Sequence, residues 1–368
     1  MLSTLRLEGT EPHRYVPISR RQSEFAPGPA GKLAKVELSA LVLPMQRRML
    51  LAATMSMLAA PAVRAQQPPF PNRPVTVVVA ISAGGPSDVI ARLVAEGMSR
   101  DLGQPVVVEN VTRAGGTIGA GRVAQARPDG HTLLMHHIGH ASSATLYRRL
   151  PYSVTDSFAP LGLVSDAAMT LVARPDFPAQ DLADFMAEIR RQGDRLNLAH
   201  SGLGAASHLC GMLLQHTAGA ALTGVVFRGG APAITDLMAG RIDVFCDQAT
   251  NTAPFLRDGR IRGYAVTLPE HVPGLDLPAT VEAGQPALLM STWHGLYAPR
   301  GTPAEVQERL SAALRTALRE ERLRQRLAEL VTTPVAEERA TPAYHRQFLA
   351  EEVARWRPII QAANQYAD

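Results

Sequence analysis

The sequence predicts an α/β protein of two lobes, each built on a mainly parallel sheet and facing the other across a cleft. Three observations carry that expectation. Short β-branched runs alternate with segments of helical periodicity, each run ends in a glycine- or hydroxyl-rich loop, and the series appears twice with a break between. Sheets of this kind bind ligands at the carboxyl ends of their strands, so those loops are the candidate site.

The first series opens at Pro74-Val75-Thr76-Val77-Val78-Val79-Ala80-Ile81. It leads into Ser82-Ala83-Gly84-Gly85-Pro86-Ser87-Asp88 and then a helix over about 86–100, with Val89, Ile90, Leu93, Val94 and Met98 at helical spacing. Pro86 suits a first helical turn, where its missing N–H costs nothing. Glycines let the backbone approach a ligand, and the N–H groups of a helix start favour a carboxylate or phosphate. This stretch is expected to be an anion cradle. A strand over 106–110 follows, then a second glycine loop, Arg113 to Gly121, running into an alanine-rich helix. The turn Pro128-Asp129-Gly130 precedes the strand 131–135, and His136 to Ser143 is expected to be a loop.

Leu171 to Arg174 reads as the strand that leaves the first sheet, and a helix follows over 181–191. The second series has strands at 196–200, 224–227, 242–246 and 262–267. Their loops are Ser201 to His208, Arg228 to Pro232, and Asp247-Gln248. The chain is expected to cross back near Trp293 to Ala298. Thr302-Pro303-Ala304-Glu305 has the pattern of a capped helix start, with Thr302 as the cap. A last helix is expected over about 342–363, burying Phe348, Trp356 and Ile359 or Ile360.

Charge is unevenly placed. The chain of 368 residues carries +4, yet residues 1–65 hold +5 and residues 66–368 hold −1. A near-neutral body does not support a nucleic-acid footprint. Met45-Gln46-Arg47-Arg48 precedes an apolar run that ends in Pro61-Ala62-Val63-Arg64-Ala65, the pattern of a cleavable export signal. Residues 45–65 are therefore expected to be a signal peptide cut after Ala65. Residues 1–44 are expected to be an extra leader or to precede the true start at Met45. Arg47-Arg48 also hints at twin-arginine export beside the general route. The expected location is periplasmic.

Lys32 and Lys35 are the only lysines. A chain cut after Ala65 would hold none, which excludes Schiff-base, pyridoxal-phosphate and P-loop chemistry. No metal pattern occurs: His136 and His137 are neighbours, there is no His-Glu-x-x-His, and no carboxylate stands at a convincing spacing. No cofactor is expected. Cys210 and Cys246 are compatible with a disulfide or with two small buried residues. Ser82 or Ser201 with His140 or His200 would allow a serine hydrolase, but neither serine has a Gly-x-Ser-x-Gly context. Gly202-x-Gly204-x-x-Ser207 is a dinucleotide-type loop without its third glycine. No enzyme activity is expected.

Taken together the loops resemble the substrate-binding proteins of tripartite tricarboxylate transporters, the TctC or Bordetella uptake gene (Bug) receptors. The resemblance runs from about Pro71 to about Gln361. It includes Gly84-Gly85-Pro86-Ser87-Asp88, Gly115-Gly116-Thr117-Ile118-Gly119, Ser207-His208-Leu209, Gly240-Arg241-Ile242-Asp243 and Pro299-Arg300-Gly301-Thr302-Pro303. It implies a type II periplasmic-binding-protein fold, with residues 66–168 and 292–368 in lobe 1, residues 169–291 in lobe 2, and crossing strands between. It implies a receptor for a small carboxylate (a di- or tricarboxylate, an amino acid or an aromatic acid) that serves the membrane components of such a transporter. An alternative is a ligand-sensing partner of a periplasmic sensor kinase. The first-lobe site implied is Ser82, Ala83, Gly84, Gly85 and Asp88; the second is Ser201, Gly204, Ala205, Ala206, Ser207 and Asp247. Arg228 is expected either to pair with a ligand carboxylate or to face solvent. Asp88 is expected to cap or brace its loop, and Asp247 either to accept from a ligand hydroxyl or ammonium or to brace its own loop. The chain departs from the family at Ala80-Ile81-Ser82, often Pro-Phe there, and at Phe227-Arg228-Gly229, often Tyr-Lys-Gly.

Overall fold

In the computed structural model, residues 69–367 are described; the expected leader and the signal segment with its cleavage site lie outside them. Strand β1 (Val75–Val79) buries four of its five side chains, as a strand covered on both faces must. It lies between β2 (Val106–Asn110) and β3 (Thr132–His137), parallel to both, with Val77 opposite Val108 on one side and Leu133 on the other. Helix α1 (Pro86–Leu102) joins β1 to β2 and ends on Gly103, whose left-handed φ of 67° suits a residue without Cβ. Helix α2 (Thr117–Ala124) joins β2 to β3. Helix α3 (Gly139–Leu146) follows β3 directly.

That helix corrects the loop expected from His136 to Ser143. His136 and His137 belong to β3, and the serines sit inside a helix. Their hydroxyls donate back to helix carbonyls, Ser142 to Gly139 and Ser143 to His140. Burial on nearly every side leaves α3 without the apolar stripe that would reveal a helix in sequence.

The spine is β4 (Phe158–Ala173), sixteen residues with all but one buried. The sequence pattern revealed only its last residues. Pro160, Gly162, Ser165 and Asp166 break the β-branched run, and the register slips between Pro160 and Gly162 and again between Leu163 and Ser165. One length of β4 pairs antiparallel with β9 (Ser291–Pro299) and with β10 (Thr332–Pro334). Its final residues pair antiparallel with β7 (Val244–Gln248) and β8 (Arg262–Val266). Strand β5 (Asn197–His200) stands parallel between β7 and β6 (Thr223–Val226). The path through the sheet is therefore β2-β1-β3-β9-β4-β7-β5-β6, with β8 and β10 joined to β4 off that path. Three parallel strands lie on each side of the antiparallel centre.

Helices α4 (Leu182–Gln192), α5 (Ala206–Ala218), α6 (Gly230–Met238) and α7 (Ala249–Arg257) cover the second series. Asp181 caps α4 by accepting from the Asp184 N–H. A disulfide between Cys210 on α5 and Cys246 on β7 resolves the alternative left open by the sequence. Helices α8 (Ala304–Arg319), α9 (Glu321–Glu329) and α10 (Pro342–Ala363) return to the first series. The cap of α8 is Pro303 and not Thr302, whose hydroxyl donates to the Pro299 carbonyl instead. In α10, Trp356 and Ile360 are buried, and Trp356 shares the buried Glu352 carboxylate with Trp293. Among the described residues no helix is long and apolar enough to cross a membrane.

Candidate functional site

Because β1, β2 and β3 are parallel, the loops at 80–86, 111–116 and 138–139 leave one edge of the sheet together. Strands β5, β6 and β7 likewise send out the loops at 201–205, 227–229 and the Asp247 end of β7. The two sets meet. A Cβ built on Gly115 would stand 2.8 Å from the Leu203 carbonyl oxygen, and one on Gly139 would stand 2.6 Å from that of Gly204. Neither position has room for a side chain, so backbone faces backbone across the cleft.

In the first set, Gly84 has a φ of 77° and Gly85 is the extended N-cap of α1. Ser82, Ala83 and Gly84 are exposed at the tip. The buried Asp88 carboxylate holds the loop from beneath, accepting from the Gly84 N–H at 2.9 Å, the Asn110 amide at 2.9 Å and Arg92 Nε at 3.0 Å. Burial raises its pKa, but these donors and the Arg92 charge outweigh that and hold it below the ordinary value. The Gly85 N–H turns to the Ser82 carbonyl at 3.3 Å. The amides of both glycines are thus engaged within the loop, and what stays open to solvent is its tip, Ser82 to Gly84, at the positive end of α1.

Arg113, Ala114, Gly115 and Gly116 all have positive φ. Gly116 is packed against the ring of His136, whose Nε2 lies 2.4 Å from where a Cβ would be. Ser87 in the first turn of α1 pairs with His294 Nε2 at 2.9 Å, and the other nitrogen of that ring pairs with Ser165 at 3.2 Å.

In the second set, Gly202 and Gly204 have φ of 103° and 77°. Ala205 caps α5, and Ala206 and Ser207 form its buried first turn. Ser207 Oγ accepts from the Ser201 N–H at 3.0 Å, which leaves its own hydroxyl hydrogen to donate. Asp247 is 4 % exposed, and its side-chain partner is the neutral amide of Asn251 at 2.8 Å. Burial raises its pKa to about 6 against the bonds from Asn251 and the Gln248 backbone. Gly230 at the start of α6 closes over it, where a Cβ would stand 2.5 Å from the carboxylate. Arg228 lies exposed in the loop before α6.

Every residue expected of the site thus lies in or beside one of the two loop sets. Sequence reasoning passed over Gly115, Gly139 and His208, which the fold brings to the meeting line or directly behind it. The glycine pattern at 113–121 was a usable signal for the first, and the other two lay in stretches read as strand-end loops, 136–143 and 201–208, without being singled out. Among the described residues, no group of three or more histidine, cysteine or acidic side chains is placed to hold a metal. A surface hollow of about 710 Å³ between α7 and the 271–277 loop lies at the far end of α7 from Asp247 and includes no residue of either loop set.

The geometry is that of a two-part α/β binding protein with its loops closed on one another. The profile of the tripartite tricarboxylate transporter family receptors matches residues 90–365, and the chain belongs to that family. It is 44 % identical over 304 residues to an Agrobacterium vitis protein from the TAR-I ttuE-ttuC' intergenic region, covering 82 % of this chain and 88 % of that one. The solved periplasmic binding protein BugD is 38 % identical with a TM-score of 0.74, covering 81 % of this chain and 99 % of BugD. MatC of Rhodopseudomonas palustris, solved with bound malate, is 40 % identical with a TM-score of 0.74, over 79 % of this chain and all of MatC. The fold is the α/β periplasmic-binding-protein fold expected from the sequence.

Proposed function

We propose that this chain is an extracytoplasmic receptor that closes two lobes on a small carboxylate and delivers it to the membrane components of a tripartite tricarboxylate transporter. The observation that carries the reading is the meeting of the two loop sets at Gly115–Leu203 and Gly139–Gly204. In this account residues 66–168 and 292–368 form one lobe and 169–291 the other, and β4 and β9 join them. An export signal ending at Ala65 delivers the chain to the periplasm.

The ligand carboxylate rests on the exposed tip Ser82-Ala83-Gly84 with Gly85 behind it, and Asp88 keeps that tip in shape. Across the cleft, Ser201, Gly204, Ala205 and Ala206 line the start of α5, and Ser207 donates its hydroxyl. Dipoles and hydrogen bonds meet the negative charge here. Asp247 receives a ligand hydroxyl or ammonium, and Arg228 at the rim takes a second carboxylate. No bond is made or broken. The malate bound by MatC makes four-carbon dicarboxylates the first ligands to test.

The experiment is a thermal-shift screen of the purified chain against malate, succinate, citrate, aspartate and nicotinate. Binding to the folded state alone raises the melting temperature, by mass action worth about 2.7 kcal/mol at a hundredfold excess over Kd. A concentration-dependent rise with one of these acids, recovered unchanged afterwards, is the expected result. Consumption of the acid by the pure protein contradicts the proposal.

A further inference from the structure

The chain end after α10 touches both halves of the molecule. Asn364 turns out of the helix with a left-handed φ of 50°, and each of the next three residues makes a contact outside it. The Ala367 N–H donates to the Leu146 carbonyl at the end of α3 at 2.9 Å. Tyr366 lies beneath the Arg148 guanidinium, 4.2 Å from its ring centre. Those contacts belong to the first series. Gln365 reaches the other way, its Oε1 standing 2.8 Å from His208 Nε2 on α5.

His208 is itself tied to the site. Its Nδ1 accepts the Gly204 N–H at 3.3 Å, which makes Nε2 the protonated nitrogen and Gln365 its acceptor. Gly204 is the residue whose carbonyl meets Gly139 across the cleft. A continuous path therefore runs from the loop that closes on the first half, through one imidazole, to a tail anchored on that same half. Beside it lies a water-sized hollow of about 30 Å³ lined by His200, Ser207, His208 and Gln365.

We propose that the tail Gln365-Tyr366-Ala367 is a latch for the closed cleft, with His208 as the positioning residue that passes its hold to the Gly204 loop. The latch rests on the receptor reading for its purpose, since it sets how readily the cleft reopens to release a solute. Its physical content does not depend on which solute binds. A side chain that spans a moving boundary contributes only to the state in which both its ends are docked.

The test uses the full chain without ligand. Hydrogen exchange of the 201–207 segment and the radius of gyration in solution are compared for wild type, Gln365→Ala and Tyr366→Ala. Losing one neutral hydrogen bond is expected to speed exchange of the segment by about fivefold. Tyr366→Ala, which breaks the far anchor, should do the same, and both should enlarge the radius of gyration. His208→Asn keeps an acceptor near Gly204 but cannot reach Gln365, so adding Gln365→Ala to it should change nothing further. Unchanged exchange in both tail variants, or full additivity with His208→Asn, would overturn the latch. Dissociation of L-malate is then timed in the same variants. Faster exchange with no malate, succinate or citrate binding in any of them leaves the latch standing and removes the receptor reading instead.

Discussion

Asp247 shows how one residue divides between stability and binding. Its carboxylate is buried, and its side-chain partner is a neutral amide, so the charged form is the costly one. The folded state holds the proton up to about pH 6, whereas the unfolded chain releases it near the ordinary value of 3.8. The cost of ionisation is therefore present in full above about pH 6, shrinks between there and 3.8, and is absent below. Asp247→Asn is expected to raise stability at pH 7.5 by up to about 3 kcal/mol, the gain fading to nothing near pH 4. Urea denaturation at both pH values measures this. A destabilised Asn variant at pH 7.5 would mean that the carboxylate is satisfied by contacts stronger than Asn251. The sequence placed this acid near a strand end but read it as loop; it belongs to β7, and its burial comes from that strand's place in the sheet and from Gly230 folding over it.

At the scale of elements, the packing of β3, α3, β9 and α10 encloses five histidines. His136, His137, His140, His294 and His345 are all buried, and their rings touch one another or share Tyr297, with centroids 4.5–6.3 Å apart. Burial lowers the pKa of each: His137 to about 4, and His140, His294 and His345 to about 3, with His136 lowered well below the ordinary value. The neutral rings bind their protons only in the unfolded chain once pH falls below about 6.5. Stability is thus fully present above that value and falls steeply from pH 6.5 toward 4, each histidine adding about 1.4 kcal/mol per pH unit at most. A denaturation midpoint that drops sharply below pH 6 is the expected profile; one that stays flat to pH 4.5 would show the rings charged in the fold. In sequence, His136, His137 and His140 fell in a stretch expected to be a loop. Only the extension of β3 and the formation of α3 carry them inside, and neither change has a local signal.

For the whole molecule, much of the architecture was written in local patterns. The strand β2 and helix α10 have the expected bounds, because valine runs and the Thr-Pro start leave little choice. The opening glycine loop was recognisable for the same reason: small residues between a strand and an amphipathic helix. The long β4 was not, since its bulges and polar residues are made tolerable by β9 and β10 on either side. Nor was the meeting of Gly139 with Gly204, which depends on two sheets arranged around one central strand. Local pattern thus identified the loops, and long-range packing determined which of them face each other.

The central claim is that the solute is held between these two loop sets. It is tested most directly by calorimetric titration of the best acid from the screen into three variants, one in each loop set and one outside both. Gly85 has an extended backbone at φ −79°, and a Cβ there meets only the Ser82 carbonyl at 3.3 Å, so Gly85→Asp should fold. It places a negative charge where the carboxylate rests and is expected to lower affinity roughly ten- to a hundredfold. Ser207→Ala removes one hydroxyl and should cost about fivefold. His271→Ala, in the hollow beside α7, should bind as the wild type does. A folded Gly85→Asp protein with wild-type affinity, or a His271→Ala protein that has lost binding, would contradict the account.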